Sequence, residues 1–162
     1  MTSVDSKNLK QFVFNAFSAM GLNEKDAGIF TDALMFSELR FHSGQGQGVQ
    51  RITTYYKRIK NNEVNINSEY EILKESSSLA LVDAKNGIGT IQASKCMDIA
   101  INKAKTEGIG KVIVKNSTHF GSSSVHAVKA TKEINRTSSF KTNNLRSVIK
   151  IALTIICITI IT

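Results

Sequence analysis

The sequence predicts an α/β fold in which helices come first and strands and helices then mix. Three observations carry that expectation. Apolar residues recur at three-and-four spacing through much of the first third of the chain. The pattern shortens to β-branched and aromatic runs from Tyr70, and a strand–loop–helix pattern occupies 111–124.

In the first helical pattern Leu9, Phe12, Val13, Ala16, Phe17 and Met20 share a face, and Gly21 closes it as a C-cap. Asn23 is placed to cap a second helix, with Glu24 and Asp26 in the first turn, where the helix dipole favours acids. That helix runs to about Leu39 and buries Ala27, Phe30, Leu34 and Met35. A third, from Val49, sets Val49, Ile52, Tyr56 and Ile59 on one face. The intervening loop, 40–48, is expected at the surface, free to meet a ligand.

Residues 70–73 and 79–82 read as two short strands, with Ser76, Ser77 and Ser78 in the turn between them. The turn 85–89 enters a long helix whose apolar face carries Ile91, Met97, Ala100, Ile101 and Ala104, and Gly108 stops it. Val112, Ile113 and Val114 then suit a buried strand over 111–115, and a further helical pattern begins near Ser122. His119, Phe120 and Gly121 therefore fall where a strand hands over to a helix. The space beyond the carboxyl ends of strands is where α/β sheets usually bind ligands.

Composition narrows the class. The 162 residues are 41% hydrophobic and 21% charged, which is globular and not disordered, and long enough for a real core. The net charge of +8 invites a nucleic-acid reading, but it divides unevenly. After Glu133 come Arg136, Lys141, Arg146 and Lys150 with no acid, so residues 1–133 hold 17 basic against 13 acidic groups. Signs alternate in that body and no nucleic-acid motif appears, so a solvated mixed surface is expected, with no nucleic-acid partner. Cys96 and Cys157 form neither a disulfide framework nor a zinc pattern, and no metal site is expected. The start, MTSVDSKNLK, lacks an apolar signal segment, and with the cysteine usage this suggests a cytoplasmic setting. Residues 1–133 read as one domain and 134–162 as a divergent tail, basic and then apolar. The last twelve residues carry no charge and would span only ~18 Å as a helix. That is short of the ~30 Å bilayer core, so an extended segment is expected and no membrane partner.

Several motifs bear on chemistry. Gly87-Ile88-Gly89, between a strand and a helix, resembles the opening of a dinucleotide fingerprint. Its third glycine position is Gln92, and the acid about 20 residues on, Glu107, lies at a helix end. A turn and helix cap is the better reading. His119 is either an ordinary loop histidine or a group titrating near neutrality at a ligand site. Arg51 and Tyr55, one helical turn apart, are either a solvated arginine with a core-edge tyrosine or a carboxylate-binding pair.

Asn116-Ser-Thr-His-Phe-Gly121 after a V-x-V strand, preceded by Ser37-Glu-Leu-Arg40 and Val49-Gln-Arg51, resembles the malate/L-lactate dehydrogenase family of NAD(P)-dependent oxidoreductases, which includes ureidoglycolate dehydrogenase. The similarity covers about 5–130 and includes ALVDAKNGIGTIQASKCMDIAINKAKTEGIG. It implies that family's own non-Rossmann α/β fold, here as a truncated N-terminal portion, and a homodimer. It also implies NAD or NADP as cofactor and a small 2-hydroxy or 2-oxo acid as substrate. By resemblance His119 lies in the catalytic pocket, handling the proton or orienting substrate, and Arg51 and Tyr55 face the substrate. Thr142 and Asn143 resemble a T-N pair near the cofactor. The family's other histidine falls at Gln47, because eight residues separate Arg40 from Val49 where six are usual, and His42 is the substitute on offer. Two functions remain open on these residues: hydride transfer between NAD(P) and a 2-hydroxy/2-oxo acid, impaired by truncation, or a non-catalytic remnant serving as an interaction module.

Overall fold

The computed structural model describes residues 4–40 and 48–137. They form α1 (Ser6–Ala19), α2 (Glu24–Glu38), α3 (Arg51–Lys60), β1 (Glu71–Glu75), β2 (Leu79–Gly87), α4 (Gly89–Glu107), β3 (Lys111–Ser117) and α5 (Ser123–Thr137). The predicted mixed α/β order is the observed one. Two compact units divide at Asn67 and Ser68, close to where the sequence changes its period.

The first unit holds the three N-terminal helices. Asp5 caps α1 by accepting the amides of Lys7 and Asn8, both at 3.0 Å, a cap the sequence reading did not single out. Gly21 ends that helix with φ +96°, and Asn23 Oδ1 accepts the Asp26 amide at 2.9 Å, both as expected. The core is aromatic: Phe17 stacks on Phe30 at 4.5 Å between centroids, and Tyr55 meets Phe30 edge-on at 4.7 Å. Two positions differ from the expected faces. Phe12 is 62% exposed, and on α3 it is Tyr55 that is buried while Tyr56 is half exposed. Neighbouring residues on a helix are about 100° apart, so contact with Phe30 selects one tyrosine and turns the other outward.

The second unit is a three-stranded sheet in the order β1-β2-β3, with β1 antiparallel and β3 parallel to β2. α4 makes the crossover between the parallel strands, as such a connection requires. Ala80, Val82 and Ala84 of β2 alternate inward with Val112 and Val114 of β3. They pack with Cys96, Met97, Ala100 and Ile101 of α4 and Ala130 of α5. Gly110 lets β3 approach that helix, since a Cβ there would lie 1.9 Å from the Ala100 carbonyl oxygen. Gly108, at φ +76°, ends α4 where expected. Burial pushes the Cys96 thiol up to about 12, so it is an inert core group at neutral pH. No helix among the described residues is long and apolar enough to cross a membrane. The tail beyond 137, and with it the expected extended apolar end, lies outside the described residues.

Candidate active site

In the second unit, the carboxyl ends of β2 and β3 are where the backbone departs from regularity. Val82 pairs with Val114 and Asp83 with Lys115, but the next pairing joins Gly87 to Ser117, so β2 carries two extra residues there. Lys85 (φ 47°), Asn86 (φ 60°) and Asn116 (φ 51°) all take left-handed conformations at this irregularity. Such strain persists only when its surroundings over-determine it, and it clusters at functional sites. Asp83 does the determining. Its carboxylate accepts the Lys85 amide at 2.8 Å and the Asn116 side-chain amide at 2.8 Å, and pairs with Lys115 at 3.4 Å. The Lys85 amide first, then Asn116 and Lys115, hold its carboxyl below the usual range against the opposing effect of burial.

Beyond the irregularity the two loops lock together. The Thr118 hydroxyl accepts the Gly89 amide at 2.8 Å and donates to the Gly87 carbonyl at 3.2 Å. A Cβ on Gly89 would fall 2.0 Å from the Thr118 carbonyl oxygen, and one on Gly87 would meet Gln92 at 2.6 Å. Both glycines of the Gly-x-Gly turn therefore permit close packing within the protein. The Gly89 amide, which a phosphate loop would offer to its ligand, is already donated to Thr118. This is the turn-and-cap alternative, and the turn does not fit a dinucleotide phosphate.

His119 sits on this clamped loop, exposed, with its Nδ1 accepting the Gly121 amide at 3.0 Å. A nitrogen that accepts carries no proton, so the neutral ring bears its proton on Nε2. Gly121 is at φ +85°, and a Cβ there would lie 2.9 Å from Thr90 Oγ1. Phe120 stacks on His119 at 5.9 Å between centroids and also meets His126 at 6.1 Å. His126 is buried on α5, and its Nε2–H donates to the Phe120 carbonyl at 2.9 Å. Burial first, with the positive charge of Lys129 adding to it, depresses its basicity against the pull of the Phe120 carbonyl.

In the first unit, Arg51 opens α3. Glu38 Oε2 accepts the Val49 amide at 2.8 Å and the Arg51 amide donates to the Gly48 carbonyl at 3.1 Å, which fixes where the helix begins. No side chain caps that helix and no acid stands in its first turn. A cation there opposes the dipole, at a cost of roughly 0.3–1 kcal/mol. Among the described residues no carboxylate lies within ion-pair distance of Arg51. The Tyr55 ring is buried and packs edge-on against Phe30. Arg40 of the Ser-Glu-Leu-Arg motif folds back over the Phe36 ring at 3.6 Å. His42, Gln47, Thr142 and Asn143 lie outside the described residues.

Asp83, Thr118 and His126 were not singled out by sequence. His126 was the most accessible of the three, since with Ala130 it forms an i, i+4 inward stripe on α5.

The family model described as malate/L-lactate dehydrogenase matches residues 4–142. The chain belongs to the malate/L-lactate dehydrogenase family. A malate dehydrogenase of Pyrococcus horikoshii is 35% identical over 130 residues, covering 80% of this chain and 36% of that protein. An L-sulfolactate dehydrogenase of Methanocaldococcus jannaschii is 32% identical over 115 residues, covering 71% of this chain and 33% of that protein. Among solved structures, that of malate dehydrogenase from Entamoeba histolytica superposes with a TM-score of 0.76 at 33% identity, over 82% of this chain and 36% of that one. The chain thus spans about a third of the length of the relatives it matches. Family membership shows its relation to hydroxy-acid oxidoreductases, and the matched span includes Arg51, Tyr55, His119 and Thr142.

Proposed function

We propose that this chain carries the acid-handling part of an oxidoreductase that moves a hydride between NAD or NADP and a small 2-hydroxy/2-oxo acid. The observation that carries the reading is His119, an exposed imidazole held with Nδ1 on the Gly121 amide at the end of a parallel strand. Bound nicotinamide would supply or remove the hydride. The Gly87–Gly89 turn is not assigned to it, and Thr142 and Asn143 are proposed on resemblance alone. Nε2–H of His119 is suited to donate to the C2 oxygen of a 2-oxo acid, which polarises the carbonyl and fixes the acid's orientation. Transferring that proton outright requires the imidazolium, whose Nδ1–H could no longer accept from Gly121. The geometry therefore favours orientation by His119, with His42 as the proposed proton partner. Arg51, a cation at the start of α3 without a carboxylate partner among the described residues, is proposed to bind a substrate carboxylate. Tyr55, one helical turn on, is proposed to add a hydrogen bond from its phenol to the same acid. A cytoplasmic homodimer is proposed on the same resemblance.

One second reading, favoured by the Gly89 amide being donated to Thr118 and not left for a cofactor phosphate, is a non-catalytic module that binds the acid without turning it over. Oxidation of NADH and NADPH by the purified chain, with several 2-oxo acids, separates the two. Turnover near ~10 per second removes the non-catalytic reading. Acid binding without turnover supports it, and neither binding nor turnover defeats both. Arg51→Ala is expected to weaken 2-oxo acid binding by about 1.5–3 kcal/mol, the worth of a charge-assisted pair. Unchanged affinity in that variant removes Arg51 from the site.

A further inference from the structure

His126 belongs to none of the roles above, yet it is the polar group most deeply committed to the His119 loop. It is 5% exposed, and α5 presents it from a firmly held position. Ala130, one turn on, is fully buried. Lys129 ties the same turn to α4, donating to the Ser94 carbonyl at 2.8 Å, the Ser94 hydroxyl at 3.0 Å and Asp98 at 2.7 Å. From this anchored helix the Nε2–H of His126 reaches the carbonyl of Phe120 at 2.9 Å. That carbonyl belongs to the peptide between Phe120 and Gly121, and the same peptide's N–H, on Gly121, donates to His119 Nδ1 at 3.0 Å. One peptide plane therefore accepts from the buried histidine and donates to the exposed one. Because the plane is rigid, fixing its oxygen fixes the direction of its N–H.

We infer that His126 is a positioning residue that, by holding the Phe120–Gly121 peptide plane, sets the tautomer and orientation of His119. The inference rests on the role proposed for His119 but can be read without any turnover. Phe120 supports the coupling through its side chain as well, since its ring meets both imidazoles, at 5.9 and 6.1 Å between centroids. Polarisation along a chain of hydrogen bonds strengthens each member, so the His126 donor also makes the Gly121 N–H a better donor to His119. His126 Nδ1 is buried and has no hydrogen-bond partner among the described residues, so the Nε2–H contact is the hydrogen bond its ring makes there.

The test uses the full chain, uniformly labelled with 15N, as wild type and as His126→Phe, His126→Leu and His126→Gln. Long-range proton–nitrogen correlation reports which nitrogen of His119 carries the proton. Wild type is expected to show a single Nε2–H form for His119. His126→Gln, which keeps an N–H donor, is expected to retain it. His126→Phe keeps a ring of similar volume but no donor, and is expected to shift both His119 nitrogens toward the exchange-averaged values of a solvated imidazole. The rate of Cys96 thiol modification checks the fold in each variant, because the thiol is buried in the core beneath α5. Should His126→Phe open that thiol, His126→Leu is read in its place. Unchanged His119 signals in the donor-less variant overturn the inference, and so do equal shifts in the Gln and donor-less variants. Neither result depends on whether the chain oxidises NAD(P)H, so the two readings fail separately.

Discussion

The helical first unit and the β2-α4-β3-α5 unit are stabilised by different kinds of contact, and the difference separates what holds the chain from what equips it. In the first, caps and an aromatic core of Phe17, Phe30 and Tyr55 account for the arrangement, and Arg51 is an addition at one helix start. In the second, the core is made of small and branched aliphatic side chains, while the strand ends are held by polar contacts on a strained backbone. Large apolar surfaces tolerate adjustment. A loop fixed by Asp83, Thr118 and His126 depends on a few directional polar contacts, which hold a geometry precisely.

The largest effect expected from this contrast is in the first unit. Phe30→Ala removes the ring that both Phe17 and Tyr55 pack against and should cost about 3–5 kcal/mol in urea unfolding. A loss under about 1 kcal/mol would show that the aromatic cluster is not its core.

Next is Gly89→Ala, which forces a methyl against the Thr118 carbonyl and should cost about 1–3 kcal/mol while displacing the His119 loop. If phosphate-cradle chemistry were the reason for that glycine, the variant would instead fold normally and lose only cofactor affinity. Thermal unfolding alongside NAD(P)H titration separates the two.

Smaller effects come from pH. His126 is harder to protonate in the folded chain than in the unfolded one, so below the ordinary imidazole value of about 6.5 the unfolded state binds more protons. Stability should therefore fall as pH drops below that point, and His126→Gln should flatten this part of the profile. Asp83, with its carboxyl held low, contributes stability above the ordinary carboxylate range that is lost on going further acid. Asp83→Asn should reduce the loss in that lower window only. Identical profiles for wild type and His126→Gln between about pH 5 and 6.5, the unit and a half below the ordinary imidazole value, would contradict the assignment.

What the sequence disclosed follows the same division. Gly21, Asn23 and Gly108 act through local geometry, and each was legible from its neighbours. The position of His119 between a strand and a helix was legible because the two patterns bracket it. The choice between Tyr55 and Tyr56 was not, since adjacent aromatic residues leave the helix phase to be decided by a partner, Phe30, 25 residues away in sequence. The Asp83 clasp joins residues 33 apart and requires left-handed turns at Lys85 and Asn116, which no periodicity signals. Thr118 closes on Gly87 and Gly89 across 31 and 29 residues, so the meaning of the Gly-x-Gly turn emerges only with the fold.

The central claim, that the loop after β3 handles the acid through the Nε2–H of His119, is tested most directly by calorimetric titration of a 2-oxo acid into three forms of the chain. Wild type and His119→Gln, which both present an N–H donor, are expected to bind within a factor of about three. His119→Ala is expected to bind up to about tenfold more weakly, the roughly 0.5–1.5 kcal/mol of one net hydrogen bond. Equal affinity in wild type and His119→Ala would contradict the account.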